Sequence, residues 1–189
     1  MIEKALLFLR DQLNNYLKLK LGISSDMVVI DNIVNQNGVL NASELCLSLI
    51  SVEEEKVHKS QSPYRIADNG TVNLVNPEIK LNLYVFFTAN FSPNNYQEAL
   101  RFLSHIITFF QSRQVFHHNN APALDEQIEK LILELVTLSF EEQNHLWGFI
   151  GAKYIPSVLY KVRLLTVADE AALQEVQILS GINTNLSQQ

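Results

Sequence analysis

Five histidines, one cysteine and a block of three glutamates are the groups in this 189-residue sequence best suited to holding a metal or attacking a substrate. His117 and His118 are adjacent in a short extended stretch. Adjacent residues of a strand point to opposite faces, so this pair does not readily chelate one ion together. His58, His105 and His145 do not stand at ligand spacing with the cysteine or with carboxylates, and no zinc-type set can be assembled. His105 falls beside the apolar face of a helix and reads as structural. Cys46 is alone, which leaves no disulfide framework, and reads as a small buried apolar group. Glu53-Glu54-Glu55 reads as the solvated end of a strand.

The motifs that carry chemistry in short form are missing. There is no phosphate-binding glycine loop, dinucleotide fingerprint or HExxH helix, and no GxSxG elbow. The expectation is a protein that is not an enzyme, with no catalytic, cofactor-binding or metal-binding residue to nominate and no cofactor.

Bulk properties narrow the class further. The length is that of one domain, and a domain of this size folds without staples. Hydrophobic residues make up 47% and charged residues 18%, with a net charge of −6. An acidic chain with no lysine or arginine cluster lacks the footprint of a nucleic-acid binder. No apolar run approaches the length of a membrane span. Glu3, Lys4, Arg10 and Asp11 interrupt the first apolar stretch, so no signal peptide is expected.

The elements that would position any site follow from periodicity. Ile2, Leu6, Leu9, Leu13, Tyr16 and Leu17 predict a helix over about 2–20, stopped by Gly22. Residues 27–34 predict a strand. Asn35-Gln36-Asn37-Gly38 then predicts a hairpin into a second strand over about 44–55. In that strand Leu45, Leu47 and Leu49 oppose Cys46, Ser48, Ile50 and Val52. Residues 56–78 are polar and rich in turn formers. They predict a long excursion with a small hairpin at Asp68-Asn69-Gly70, suited to contacting a neighbour.

Residues 79–91 alternate most clearly and are apolar on both faces through Tyr84 and Phe86, which predicts a central strand. Ser92-Pro93 predicts the start of a helix running to about 113, with Tyr96, Ala99, Leu100, Leu103, Ile106, Ile107 and Phe110 inward. Residues 115–118 are extended, and 129–138 form a strand in which Glu134 is expected near a lysine or arginine of a neighbouring strand. Ser139 and Glu142 have capping-box spacing. The short helix they open carries Trp147, expected in the core. Pro156 leads into a last strand over 157–167. The stretch 168–189 starts helix-compatible and reads as a tail or arm that Ile178 and Ile182 could dock.

The predicted fold class is therefore α+β: a mostly antiparallel twisted sheet flanked by two main helices and a short third. The organisation is a single domain over 1–167, with the excursion 56–78, followed by the tail 168–189.

Three stretches together resemble one family: IEKALLFLRDQLNNYL at the start, LNLYVFFTANF with YQEALRFLSHIITFFQ, and NHLWGFIGAKYIPSVLYKVRLL. They are similar to tail-terminator, or cap, proteins of extracellular contractile injection systems, the phage-tail-like particles that include antifeeding prophages and Photorhabdus virulence cassettes. The resemblance covers about 1–167 and is most specific around Leu146-Trp147, Lys153-Tyr154, Pro156-Ser157 and Tyr160. It implies a structural protein that forms a homohexameric ring, ends inner-tube polymerisation and anchors the last sheath layer. The implied partners are copies of itself, the tube protein and the sheath protein, with no nucleic acid and no membrane. Assembly is expected in the bacterial cytoplasm, with the protein ending at the distal end of the particle. The alternatives are an adaptor or assembly chaperone of the same apparatus and a small-ligand-binding domain.

Overall fold

The computed structural model describes residues 1–35, 37–41, 45–55, 64–66, 72–74, 80–166 and 174–176. Helix α1 spans Ile2–Leu21 and ends on Gly22, whose φ of 68° lets its N–H reach Lys18 O at 3.0 Å. The strands β1 (Val28–Ile30), β2 (Leu45–Glu54), β3 (Tyr64–Ile66), β4 (Val72–Leu74) and β5 (Lys80–Ala89) follow. A 3-10 turn at Pro93–Asn95 opens α2 (Tyr96–Ser112). The chain continues through β6 (Val115–His117), β7 (Ile128–Val136), α3 (Phe140–Ile150), β8 (Ser157–Thr166) and β9 (Gln174–Val176).

Six strands make one mixed sheet in the order β1-β2-β5-β8-β7-β6. The α+β expectation holds, and β5 is central. Neighbours run antiparallel except β1 and β2, which are parallel. Helices α1 and α2 cover one face and enclose the main core, which includes Leu9, Leu13, Leu47, Leu83, Phe87, Phe110 and Leu164. Helix α3 covers part of the other face over a smaller cluster of Phe86, Trp147, Leu159 and Ile33. Each large apolar side chain buried is worth roughly 1.5–3 kcal/mol. The main cluster holds 28 buried residues against four, so the helical layer dominates the stability of the sheet.

The expected hairpin between the first two strands is corrected. The Asn35–Gly38 turn forms, with Asn35 N–H donating to Val39 O at 2.8 Å, but it joins only Val34 to Leu40. β1 instead enters the sheet parallel to Leu45–Leu47. The reason lies in α1. The Asn14 amide donates to Val28 O at 2.9 Å, and its Oδ1 accepts from the N–H groups of Met27 and Val28 at 3.0 and 2.9 Å. A helix side chain thus holds β1 in place through three hydrogen bonds.

A bulge between Leu49 and Ser51 alters β2. The extra residue shifts the parity, so Val52 pairs with Leu83 and joins the face of Leu45, Leu47 and Leu49. Simple alternation predicts the opposite face for it.

Helix α2 is rotated from its predicted setting. Ser92 makes no side-chain cap. Phe102 and Phe109 turn inward, against Phe91 and Tyr16 at ring separations of 5.4 and 4.9 Å. Tyr96 and Leu100 are left exposed. Aromatic rings bury the most area per residue, so they set the buried face.

The small hairpin of the excursion is present as β3 and β4, paired from Tyr64↔Leu74 to Ile66↔Val72. Its turn lies outside the described residues. The start of the tail, read as helix-compatible, supplies β9. That strand adds to β4 through Val72↔Val176 and Leu74↔Gln174, making a second, three-stranded sheet β3-β4-β9. Ile178 and Ile182 lie outside the described residues.

Candidate functional site

The residues with chemical potential are scattered. Cys46 is buried, its Sγ 3.3 Å from Ser48 Oγ and 3.3 Å from Asp31 O. Burial raises its thiol pKa, which disfavours the thiolate a nucleophile or metal ligand needs. His105 lies against the Tyr16 ring, with centroids 6.4 Å apart. Desolvation, then the charges of Arg101 and Lys20, lower its pKa and favour the neutral imidazole. His117 lies in β6 with His118 in the turn after it, while His145 sits on the exposed side of α3. His58 is outside the described residues. Among the described residues no three of His, Cys, Asp or Glu come together in a way that could hold a metal.

Glu53, next to last in β2, is exposed and accepts a 3.0 Å hydrogen bond from the Tyr84 hydroxyl. Glu134 pairs with Arg163 of the adjacent strand, as expected from its place in β7. Both partners are substantially exposed, so the pair contributes little to stability.

The surface carries more information than the titratable groups. The sheet has two partly uncovered edges. On one side, among the described residues, β1 covers only Leu45–Leu47 of β2, and Ser51, Val52 and Glu53 are exposed. On the other, β6 covers only Lys130–Ile132 of β7, and Gln114 O takes the Leu133 N–H at 2.8 Å. Backbone groups alternate in direction along an antiparallel strand. Leu135, two residues on, therefore presents its N–H and C=O to the same side, where no described strand pairs with it.

Three adjoining hollows of about 360, 290 and 220 Å³ follow this second edge. Gln111 and Gln114 are shared by the first two, and Leu135 by the last two. The middle hollow is floored by Ile107, Phe110, Leu133 and Tyr160. Arg113 is the one charged residue lining the first. The result is an open trough beside an uncovered strand, a form suited to an extended segment more than to a small enclosed ligand.

Helix α3 is built from the capping box that the sequence signals. Ser139 Oγ accepts from the Glu142 N–H at 3.2 Å, and Glu142 Oε2 accepts from the Ser139 N–H at 2.8 Å. The helix stops at Gly151, with φ 74°. It buries Trp147 against Phe86 at a ring separation of 5.5 Å. Phe140 and Phe149 remain 93% and 81% exposed at its two ends. The sequence reading missed them because a short helix with one buried residue has a narrow inward stripe. Among the described residues no helix is long and apolar enough to cross a membrane.

The fold has counterparts among solved structures. The sheath/tube terminator of the extracellular contractile injection system PVC, solved in its extended state, aligns over 95% of this chain and 63% of its own, with a TM-score of 0.56 and 14% identity. The tube-terminating cap of the anti-feeding prophage aligns over 91% of this chain and 59% of its own, with a TM-score of 0.52 and 14% identity. The chain thus spans less than two thirds of the length of either protein. No curated protein sequence matches it. The Pvc16 N-terminal domain family does match, over residues 6–180, from the first helix through the last described strand. With nearly its whole length inside that family's pattern and its fold shared with two terminators, this chain belongs to the Pvc16 N-terminal domain family.

Proposed function

We propose that this protein is a structural terminator of a contractile, phage-tail-like injection particle. It forms a ring on the last layer of the inner tube, stops tube growth and secures the end of the sheath. The observation that carries this reading is the fold match over 95% of the chain to a protein that itself terminates sheath and tube. The surface is compatible: the sheet edges and the open trough offer extended contacts, while among the described residues the thiol is buried and the histidines are scattered. A ring of six identical copies needs one heterologous contact that closes on itself. The tube and sheath proteins would be the other partners, and the role would be non-catalytic.

The test uses particles from cells carrying or lacking the gene. A tagged copy should label one end of each particle, and loss of the gene should give tubes of uncontrolled length. Label spread along the sheath, or normal tube lengths without the gene, would overturn the proposal.

A further inference from the structure

Both partly open edges carry exposed aliphatic side chains on the same face of the sheet. At the β2 edge these are Leu49 and Val52, 36% and 42% exposed. At the β7 edge it is Leu135, 52% exposed, beside the trough floored by Ile107, Phe110 and Tyr160. The register ties the edges together. Leu49 pairs with Val85, Val85 with Tyr160, and Tyr160 with Leu135, so one row crosses four strands. The bulge in β2 puts Val52 on the helix-covered face as well. β2 and β7 run in opposite directions within the sheet.

We propose that neighbouring copies in the ring join edge to edge, the open half of β2 in one copy adding to the open end of β7 in the next. This inference rests on the ring-forming function proposed above and names the surfaces that form the ring. Two features favour a second copy as the occupant. Strand sense is the first: in a cyclic ring all copies point the same way, so β2 beside the next β7 forms an antiparallel pair and continues the sheet. Face parity is the second: Leu49 and Val52 arrive on the side where Ile107, Leu135 and Tyr160 leave the trough open. Val52 lies in the row of Leu83, Val162 and Leu133, two residues below Leu135. A stagger of that size is what tilted strands adopt when they close around an axis. The Leu135 N–H and C=O then gain partners, and the exposed edge that invites uncontrolled pairing is removed.

The experiment uses the full chain with Val52→Cys, with Leu135→Cys, and with both. Within one chain these positions are three strand spacings apart, roughly 14 Å. A shorter bismaleimide therefore links them only between copies, and the native Cys46 is buried. The double variant should give a ladder of linked chains closing at the ring size, both purified and in assembled particles. An equimolar mixture of the two single variants should give linked dimers, and each single variant alone should give none. Circular dichroism confirms that each variant is folded. Rings or capped particles that form normally without these cross-links would overturn the edge-to-edge contact and leave the terminator function standing. A single variant that links to itself would also overturn it, because the contact would then be isologous. If the unmodified chain makes neither rings nor caps, the function and the contact fall together.

Discussion

One side chain of the first helix holds both backbone groups of a strand residue. Asn14, 3% exposed, donates to Val28 O and accepts from Val28 N–H, each at 2.9 Å, and it also accepts from Met27 N–H. An asparagine on the buried face of a helix is satisfied here only because β1 lies alongside. Asn14→Ala leaves three backbone groups without this partner. Each is desolvated or must recruit water, so the expected loss is about 1–3 kcal/mol. Urea unfolding should show a lower midpoint, and amide exchange at Val28 should accelerate more than at Leu83 in the central strand. Equal protection of Val28 in both proteins would show that β1 does not depend on Asn14.

That clamp also marks where sequence reasoning stopped. The alternation of Leu81, Leu83, Val85 and Phe87 against Tyr84 and Phe86 was legible because strand period and burial agree on both faces. The Ser139–Glu142 box was legible because its geometry is local. The parallel seat of β1 was not, since it depends on a side chain 14 residues away in sequence. The Asn-Gly turn signal was real, but its effect was limited to Val34 and Leu40. The bulge at Leu49–Ser51 left no mark in the apolar pattern, yet it moved Val52 to the other face and so helped to shape a candidate contact edge. Interfaces were hardest to see. The trough beside Leu135 exists only because β6 is shorter than β7, and sequence pattern does not report where one strand outlasts its neighbour.

Trp147 is the only tryptophan, and it anchors α3 to the sheet through Phe86 and Leu159. Trp147→Ala removes most of the smaller cluster, and truncation of a large buried aromatic costs about 3–5 kcal/mol. The main core beneath α1 and α2 is separate from it. The expected outcome is a lower thermal midpoint with the helix signal of α1 and α2 preserved until unfolding. Trp147→Phe should recover most of the loss. In the unaltered protein, indole emission should shift to the red in the same transition that reports global unfolding; an earlier shift would show that α3 detaches first.

Deleting residues 170–189 removes β9, whose partner is β4. The remaining β3–β4 pair is a two-stranded ribbon, which is marginal in water by itself. The six-stranded sheet has no strand from this stretch, so the body should stay folded and its thermal midpoint should change little. Ring formation or sheath attachment should weaken. Truncated chains that cap particles as well as the full chain does would show that this segment is dispensable for assembly.

The capping box links α3 to acid. Hydrogen bonds from the Ser139 backbone and side chain lower the pKa of the Glu142 carboxyl below its ordinary value. A lowered folded-state pKa favours the charged form, so this stabilisation is present above the unfolded carboxylate range and is lost as pH falls through the folded value. Ser139→Ala should cost roughly 1 kcal/mol near neutrality, the usual value of an N-cap. Glu142→Gln should flatten the stability profile on its acid side. Parallel profiles for the variant and the unaltered protein as pH falls through the carboxylate range would show that Glu142 makes no such contribution.

Tyr160 governs the alkaline side, and its position makes it informative about the trough. Burial against Phe87 and Phe110 pushes its phenol up to about 12. The charged phenolate is penalised in the folded state but free to form in the unfolded chain. Stability from this group is therefore complete below the ordinary phenol value near 10 and declines as pH rises through that value toward 12. Tyr160→Phe removes the ionisable group and keeps the ring contacts, so the variant should lose less stability than the unaltered protein as pH rises above 10. Tyrosinate absorbance provides a second measurement, with the Tyr160 phenol of the native protein titrating late, at about 12. The same phenol also reports on the contact between copies. Tyr160 lines the trough, so an occupied trough buries it further, and its titration should move later still in rings than in single chains. If its titration is identical in both, the trough is open in the ring, and the β2 edge of the next copy does not fill it.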